Sequence, residues 1–358
     1  MNLFDNMIQE LREYPHKIII YGAGVAGKKV MEFLHENDIR TDGFAVDAAY
    51  YRENSSFLGL PVYALEQLLA SEPCAYVIGF MGLTPERDAA LRSQENADRV
   101  YALDFAGRYP IGVDNRMTDS FMQMNGALLS DLREKLADSE SQLEFDAYIH
   151  QQCCGEYFKR YAEKQPQYFD SDVISFGEDE VMADCGAYDG DTALAFLKTV
   201  QAQTAAGKPA SVRKIFAFEA DSANADKMRE NLRDIPQAVI VPKGVYDHSG
   251  VLHFSADNTT NSMVAENGIE IPVTTIDETV GDENVTFIKM DIEGSELKAL
   301  HGAEKTILRC RPKLAVCVYH RPEDLVTIPQ YILSLHPDYR LYFRNYRTEG
   351  VESVIYAI

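Results

Sequence analysis

Residues 181–196 read VMADCGAYDGDTALAF, and this stretch decides the fold. An apolar run reaches Asp184, then Gly186, Gly190 and Thr192 precede a helical spacing of apolar residues. The order is strand, tight glycine turn, helix start. The two glycines allow the backbone to bend and to approach a ligand with no Cβ in the way. A helix beginning near Asp191 or Thr192 directs its free N–H groups at the same point. Asp184 falls at the strand's carboxyl end, where open α/β sheets bind ligands. The turn lacks the Gly-Lys-Ser/Thr of a phosphate loop. Its carboxylates at Asp184, Asp189 and Asp191 suit a cationic or amine-bearing ligand better than a phosphate.

Three later segments extend the same sheet. KIFAFEAD (214–221) is an apolar strand ending in Glu219, placed one strand–helix–strand unit after the turn, where a carboxylate grips ribose hydroxyls. FIKMDIEGSE (287–296) ends in acids and a glycine, and LAVCVYH (314–320) ends in His320. Asp221-Ser222 reads as a helix cap. Residues 339–346 and 351–358, separated by a Thr-Glu-Gly turn, read as an antiparallel hairpin. Residues 274–282 give no strong signal. Regular strand–helix alternation from Val173 predicts a parallel sheet with right-handed crossovers.

Taken together, DCGAYDGDT, FAFEAD, IKMDIEGSE, VYHRPEDL and the tyrosine-rich closing hairpin resemble the FkbM family of S-adenosylmethionine-dependent methyltransferases, from about Gln167 to the C-terminus. The resemblance implies an α/β class I methyltransferase Rossmann-like sheet with a C-terminal antiparallel hairpin. It implies S-adenosylmethionine as cofactor and O-methylation of a sugar or a sugar-containing small molecule. Asp184, Gly186, Ala187, Tyr188, Gly190, Thr192 and Asp291 are the implied cofactor-binding residues, with Glu219 on the ribose and Asp247 in the segment flanking adenine. The implied catalytic residues are His320, Asp291 and Glu293, at two strand ends facing the same crevice. Histidine is the best general base near neutral pH. Arg321 and Pro322 after it place His320 on a turn rather than in a core. Asp291 and Glu293 would orient His320, bind the donor's ammonium, or take the proton themselves. A divalent metal on the two acids lacks an identifiable third ligand, so no metal is assigned. Glu296 reads as a surface or supporting residue. Where the family's closing strand carries a histidine this chain has Asn345, which bears on acceptor choice.

The chain has 358 residues, enough for two domains, with an apolar content of 46% and a charged content of 25%, ordinary for a globular protein. Its formal net charge of −22 argues against nucleic-acid partners and against an anionic membrane surface. No stretch approaches the length of a membrane span, and the N-terminus lacks a basic-then-apolar leader. Six cysteines without a C-x-x-C pair suggest a reduced, cytoplasmic setting, with adjacent Cys153 and Cys154 as small apolar residues on a helix.

Residues 17–105 read as a smaller Rossmann-like α/β domain. KIIIY (17–21) precedes the G-x-G-x-x-G of Gly22, Gly24 and Gly27, and Asp47 ends the next strand about twenty residues on. Thr84-Pro85-Glu86 is a strong helix start. A dinucleotide site needs two mononucleotide halves, and this length suggests one. The domain is read as structural, as a mononucleotide or sugar-nucleotide site, or as an NAD site. Two helices at 111–165, with Leu128, Leu129, Leu132 and Leu136 and then Phe145, Ile149, Cys153, Tyr157 and Tyr161, link the domains as a spacer or as a cover over the second site's mouth. The expected bounds are 1–110, 111–166 and 167–358. Two other functions compete: an NAD-dependent oxidoreductase or epimerase using Gly22–Gly27, and a non-catalytic S-adenosylmethionine-binding module. The expected partner is a small sugar-like acceptor, and the sequence leaves room for a homo-oligomer.

Overall fold

The computed structural model describes residues 3–103, 117–154, 165–254, 269–347 and 351–358. Two compact units emerge, one of Met1–Gln123, Asp146–Tyr161 and Arg347–Val351, the other of Met124–Phe145, Ala162–Tyr346 and Glu352–Ile358. Among the described residues no helix is long and apolar enough to cross a membrane. Tyr157 and Tyr161, expected on the second linking helix, lie outside the described residues.

The first unit runs α1 (Leu3–Arg12), β1 (Lys17–Tyr21), α2 (Val25–Glu36), β2 (Gly43–Val46), β3 (Ser56–Phe57), β4 (Leu60–Ala64), α3 (Leu65–Ser71), β5 (Cys74–Ile78), α4 (Pro85–Arg92) and β6 (Ala97–Tyr101). The sheet order is β3-β4-β2-β1-β5-β6, parallel except for the β3–β4 pair. Strand alternation sends Ile18 and Ile20 to a core with Met7, Leu11, Val30 and Leu34 on one face. Ile19 and Tyr21 go to Leu65, Leu68 and Leu91 on the other. Burial on both faces is why KIIIY is apolar throughout. The sheet extends on both sides of β1, beyond the single half that its length suggested, because short connections fit six strands into the segment.

The second unit receives parts of α5 (Asp119–Lys135) and α6 (Ser139–Cys154). It continues through β7 (Glu180–Cys185), α7 (Asp191–Ala205), β8 (Val212–Phe218), α8 (Ser222–Asn231), β9 (Ala238–Val241), β10 (Gly244–Val245), β11 (Gly250–Phe254) and β12 (Ile269–Thr274). Then follow α9 (Ile276–Val280), β13 (Phe287–Met290), α10 (Glu296–His301), α11 (Glu304–Cys310), β14 (Lys313–Cys317), α12 (Asp324–Leu335), β15 (Leu341–Asn345) and β16 (Ser353–Ala357). Seven strands order as β15-β16-β14-β13-β7-β8-β9. The five from β14 to β9 are parallel, and the closing hairpin adds β16 and β15 antiparallel, as its sequence pattern predicts. Phe169 stacks on Phe196 at 5.9 Å, and Phe176 meets Phe196 edge-on at 4.9 Å, filling the layer under α7. A small sheet, β10-β12-β11, flanks the carboxyl ends.

Residues 124–145 do not cover a site mouth. They close the exposed edge of the sheet. Ala137 N–H donates to the Leu341 carbonyl at 2.7 Å, while the β15 amides of Phe343 and Asn345 donate to Ser141 Oγ at 3.0 Å and Glu144 Oε2 at 2.7 Å. An open strand edge is a template for unwanted pairing, and these contacts remove it. Arg344 anchors the arrangement, buried with Nη2 2.8 Å from Asp138 Oδ2 and Nε 3.4 Å from the buried Asp170 Oδ2. Asn345 is fully buried and accepts from Ser353 Oγ at 2.6 Å, so it serves the hairpin.

Arg344→Met should lower stability by about 3–5 kcal/mol, because it strands Asp170 as a buried charge without its partner. Urea unfolding at pH 7 measures this; a loss below about 1 kcal/mol would show that the edge is held by the backbone contacts instead.

Candidate active site

Three strand ends meet at one point. Gly186 follows β7 with φ +81°, and a Cβ there would lie 1.9 Å from the Asp291 carbonyl oxygen. Gly186 and Ala187 N–H both donate to the Phe218 carbonyl, at 3.1 and 2.9 Å, and Asp291 N–H donates to the Cys185 carbonyl at 3.1 Å. The glycine is therefore fixed by close packing of β7 against β13. Gly190, at φ +90°, starts α7.

Glu219 follows β8 and is oriented by two backbone donors, Tyr188 N–H on Oε2 and Asp221 N–H on Oε1, each at 2.8 Å. Burial raises its pKa, and the two N–H donors work against that rise. Asp291 follows β13 and accepts from Tyr168 OH at 2.8 Å and Tyr319 OH at 3.1 Å. Burial works to raise its pKa, but the positive charges of Lys289 and His320 and the two phenol donors hold it below the ordinary carboxylate value.

These ends open into a cleft of about 760 Å³ whose walls include Gly186, Tyr188, Glu219, Tyr246, Asp291 and Glu293. Among the described residues, the lining carries Glu219, Asp221, Glu270, Asp291 and Glu293 and one basic side chain, Arg229. The cleft is acidic, but through these residues and not through the Asp184, Asp189 and Asp191 of the opening stretch, which are absent from the lining. Glu293 holds a left-handed backbone, φ +55°, uncommon outside glycine and typical of constrained functional turns.

Of the sequence-predicted cofactor residues, the structure brings Gly186, Tyr188, Glu219 and Asp291 to the cleft. It does not bring Asp184, Ala187, Gly190, Thr192 or Asp247 to the lining. Asp184 is fully buried because β7 runs one residue further, to Cys185; its Oδ1 lies 3.3 Å from Lys289 Nζ, itself 2% exposed. Ala187 is fully buried, and Gly190 packs on Leu232. Thr192 sits in the first turn of α7, its N–H on Asp191 Oδ1 at 2.6 Å. Asp247 pairs with Lys298 at 2.9 Å and with His248 at 2.6 Å.

His320 is on a turn but is also buried, at 7% exposure, which corrects the expectation that a turn keeps it out of the core. It does not line the cleft. Its Nε2 faces two residues that do, 3.5 Å from Asp291 Oδ1 and 3.6 Å from Glu293 Oε2. Its Nδ1 lies 3.0 Å from Oε1 of Glu296, which is fully buried and no surface residue. Ile292 N–H donates to that same Oε1 at 2.8 Å. Thus Glu296, and not Asp291 or Glu293, holds the ring from behind. Burial would lower the histidine's pKa, but the charges of Glu296, Asp291 and Glu293 outweigh it and push the pKa up to about 9. Burial and the Glu296 charge likewise push the Asp324 carboxyl up to about 7. Asp291, Glu296 and His320 place ligand atoms within 4.8 Å of one another, the spacing of a three-ligand cation site. The imidazole lies between the carboxylates, so its own charge occupies the centre of that set.

Lys289 is the residue that sequence reasoning missed. Its Nζ donates to the Gly186 carbonyl at 2.7 Å and sits 5.2 Å from the centre of the Tyr168 ring. A lysine inside an otherwise apolar strand was the available signal, since a buried cation needs a partner. Burial pushes the Asp184 carboxyl up to about 6, against the opposing charge of Lys289.

A solved structure described as a methyltransferase FkbM from Methylobacillus flagellatus KT matches 99% of this chain and 93% of its own length, with TM-score 0.75 and 24% identity. That likeness gives the fold, a Rossmann-like α/β architecture. Residues 184–348 match the family model of the methyltransferase FkbM domain, and the chain is a methyltransferase. An rRNA methylase from Streptococcus thermophilus matches 51% of the chain and 87% of its own length at 16% identity, with a TM-score of 0.32, too low to bear on this protein. No curated protein matches the sequence.

Lys289→Met should destabilise the protein by about 3–5 kcal/mol by leaving Asp184 a buried, unpaired charge. Adding Asp184→Asn should restore part of the loss. Chemical unfolding of the single and double variants checks this, and a double variant no more stable than the single one would refute the pairing.

Proposed function

We propose that this methyltransferase uses S-adenosylmethionine and transfers its methyl group to a hydroxyl oxygen of a sugar-like small molecule. The observation that carries this is the acidic cleft at the ends of β7, β8 and β13, with Glu219 locked by the Tyr188 and Asp221 amides so that its carboxylate meets a ribose. Gly186 leaves the backbone bare beside it. Tyr246 and Pro272 offer apolar surface for a base, and Asp291, held anionic, suits an ammonium or sulfonium. The chemistry of this lining fits the donor. A phosphorylated acceptor would meet repulsion from the same carboxylates.

The donor supplies an electrophilic methyl carbon: the acceptor oxygen bonds to it as the carbon–sulfur bond breaks and sulfur keeps the electron pair. Glu293 lines the cleft 3.6 Å from the buried His320 Nε2, so the hydroxyl proton passes through that carboxylate to the imidazole, whose Nδ1 lies 3.0 Å from Glu296 Oε1. Glu296 is a positioning residue here. Asp291 is a poor base because its pKa is lowered. His320 is protonated in the free enzyme at neutral pH. A cationic donor entering the same acid cluster offsets the carboxylates that raise its pKa, and the proton leaves.

Three measurements follow. Glu219→Ala should weaken S-adenosylhomocysteine binding by about 1–3 kcal/mol in calorimetric titration. Absence of binding to wild type, with tight NAD binding instead, would overturn the donor assignment. S-adenosylmethionine should release about one proton on binding near pH 7.5 and neutral S-adenosylhomocysteine about none, read from titrations in buffers of different ionisation enthalpy. Equal proton release would separate His320 from the donor's charge. The base must be unprotonated, so kcat/KM should climb with pH, reach half its plateau near 9 and level off above that. His320→Gln should abolish that limb and lower kcat by about 10²–10⁴-fold.

A further inference from the structure

The first unit holds a cleft of its own, of about 690 Å³, at the carboxyl ends of β1, β2 and β5. The chain passes from β1 to β2 on one side and to β5 on the other, so the strand order reverses between β1 and β5. Open α/β sheets take ligands at such a reversal. Three of the glycines here have a reason within the protein. A Cβ on Gly22 would lie 2.4 Å from the Gly79 carbonyl oxygen, one on Gly27 would lie 2.0 Å from the Gly22 carbonyl oxygen, and one on Gly79 would lie 2.8 Å from Gly27 Cα.

Gly24 has no such reason. Its backbone is extended, with φ −139° and ψ −161°, which any residue adopts, and a Cβ would meet no atom within 4 Å. Gly24 lines the cleft. α2 begins at the next residue with no side-chain cap and no acid in its first turn, so its N–H donors are left for a ligand.

Charge and apolarity agree on the ligand. The lining carries Arg52 and Arg87 against the single carboxylate of Asp47. Arg87 Nη2 lies 2.6 Å from Asp47 Oδ2, and its guanidinium is held 4.7 Å from the Phe80 ring centre. Tyr21 OH also donates to Asp47. On a chain of net charge −22 this cleft is net basic, the opposite of the acidic cleft of the second unit. Among the described residues before Met124, the exposed large apolar side chains are Val25, Tyr50, Leu58 and Met81. Three of these line the cleft and Leu58 follows the lining residue Phe57. Apolar surface gathered around a basic cavity is covered by a ligand with a flat apolar part and an anionic part.

We propose that this cleft binds a nucleoside diphosphate, free or as part of a larger conjugate. The start of α2 and Arg52 are two separate sources of positive potential, matching two phosphates. Tyr50, Phe57 and Val62 receive the base. Asp47 is already held by Arg87 and Tyr21, so it is not free to grip the ribose as the acid of a dinucleotide site does, and this disfavours NAD.

Calorimetric titration of the full chain with ADP, UDP, GDP and CDP, with NAD and inorganic pyrophosphate beside them, tests this. At least one nucleoside diphosphate should bind with a Kd below about 100 μM, and pyrophosphate about tenfold or more weakly. Gly24→Leu meets open space and should fold with an unchanged melting temperature, yet weaken that binding by more than about tenfold. Arg52→Glu, at an exposed side chain, should weaken it by a similar factor. The proposal fails if no nucleoside diphosphate binds below about 1 mM, or if folded Gly24→Leu binds as wild type does. It also fails if NAD binds about tenfold more tightly than every nucleoside diphosphate, or if pyrophosphate matches the best of them.

Discussion

The acidic cleft of the second unit is built on a buried ammonium. Lys289 Nζ touches the Gly186 carbonyl at 2.7 Å and Asp184 Oδ1 at 3.3 Å, with no solvent to share the charge. Taking both ions out of water costs several kcal/mol, and pairing offsets this only where hydrogen bonds complete the shell. The Lys289 bond to the Gly186 carbonyl ties the end of β7 to β13 beside the turn that Gly186 makes. The same cation lies over the Tyr168 ring, whose OH donates to Asp291. A positive charge beneath the floor is what allows Asp291 to stay ionised in an acidic cleft, where its neighbours alone would drive protonation.

What the sequence shows and what it hides divide along the range of the interactions. Strand, glycine turn and helix at 181–196, the cap at Asp221, the Thr84-Pro85 helix start and the closing hairpin are local patterns, and the structure has each of them. Glu219 was legible because its distance from the glycine turn is set by one strand–helix–strand unit. Asp184 misled because β7 is covered on both faces, so no alternation marks which side chains reach the cleft. Its partner is more than a hundred residues away, as is the Asp138 that holds Arg344, and no spacing rule reaches that far. One local signal was present and unused. Thr275-Ile-Asp-Glu278 has the sequence of a capping box, and α9 begins there with the N-cap half of it, Thr275 Oγ1 accepting from Glu278 N–H at 3.0 Å.

Glu296 shows the same limit at short range. It begins α10, where an acid favours the helix dipole, and that alone reads as a surface position. The turn at Glu293 and Gly294, both with positive φ, brings the start of α10 back towards β14. The carboxylate then meets His320 instead of water. A side chain's exposure here is decided by the path of the loop before it.

The proposed reaction keeps the charge of this pocket constant. Asp291 and Glu293 face one positive charge at every stage. In the free protein the His320 imidazolium supplies it, since three carboxylates push that pKa up to about 9. With donor bound the charge lies on sulfur and the imidazole is free to act as a base. After transfer, sulfur is neutral and His320 carries the proton taken from the acceptor, so the carboxylates again see an imidazolium. Such a site does not have to bind the ground-state cation more tightly than the transition state, because positive charge leaving sulfur reappears beside the same acids as it goes. The neutral thioether loses the attraction that held the donor, while the imidazolium satisfies the acids in its place. In the proposed reaction the buried Glu296–His320 pair therefore does more than orient a base: it would provide the replacement cation that lets the product depart.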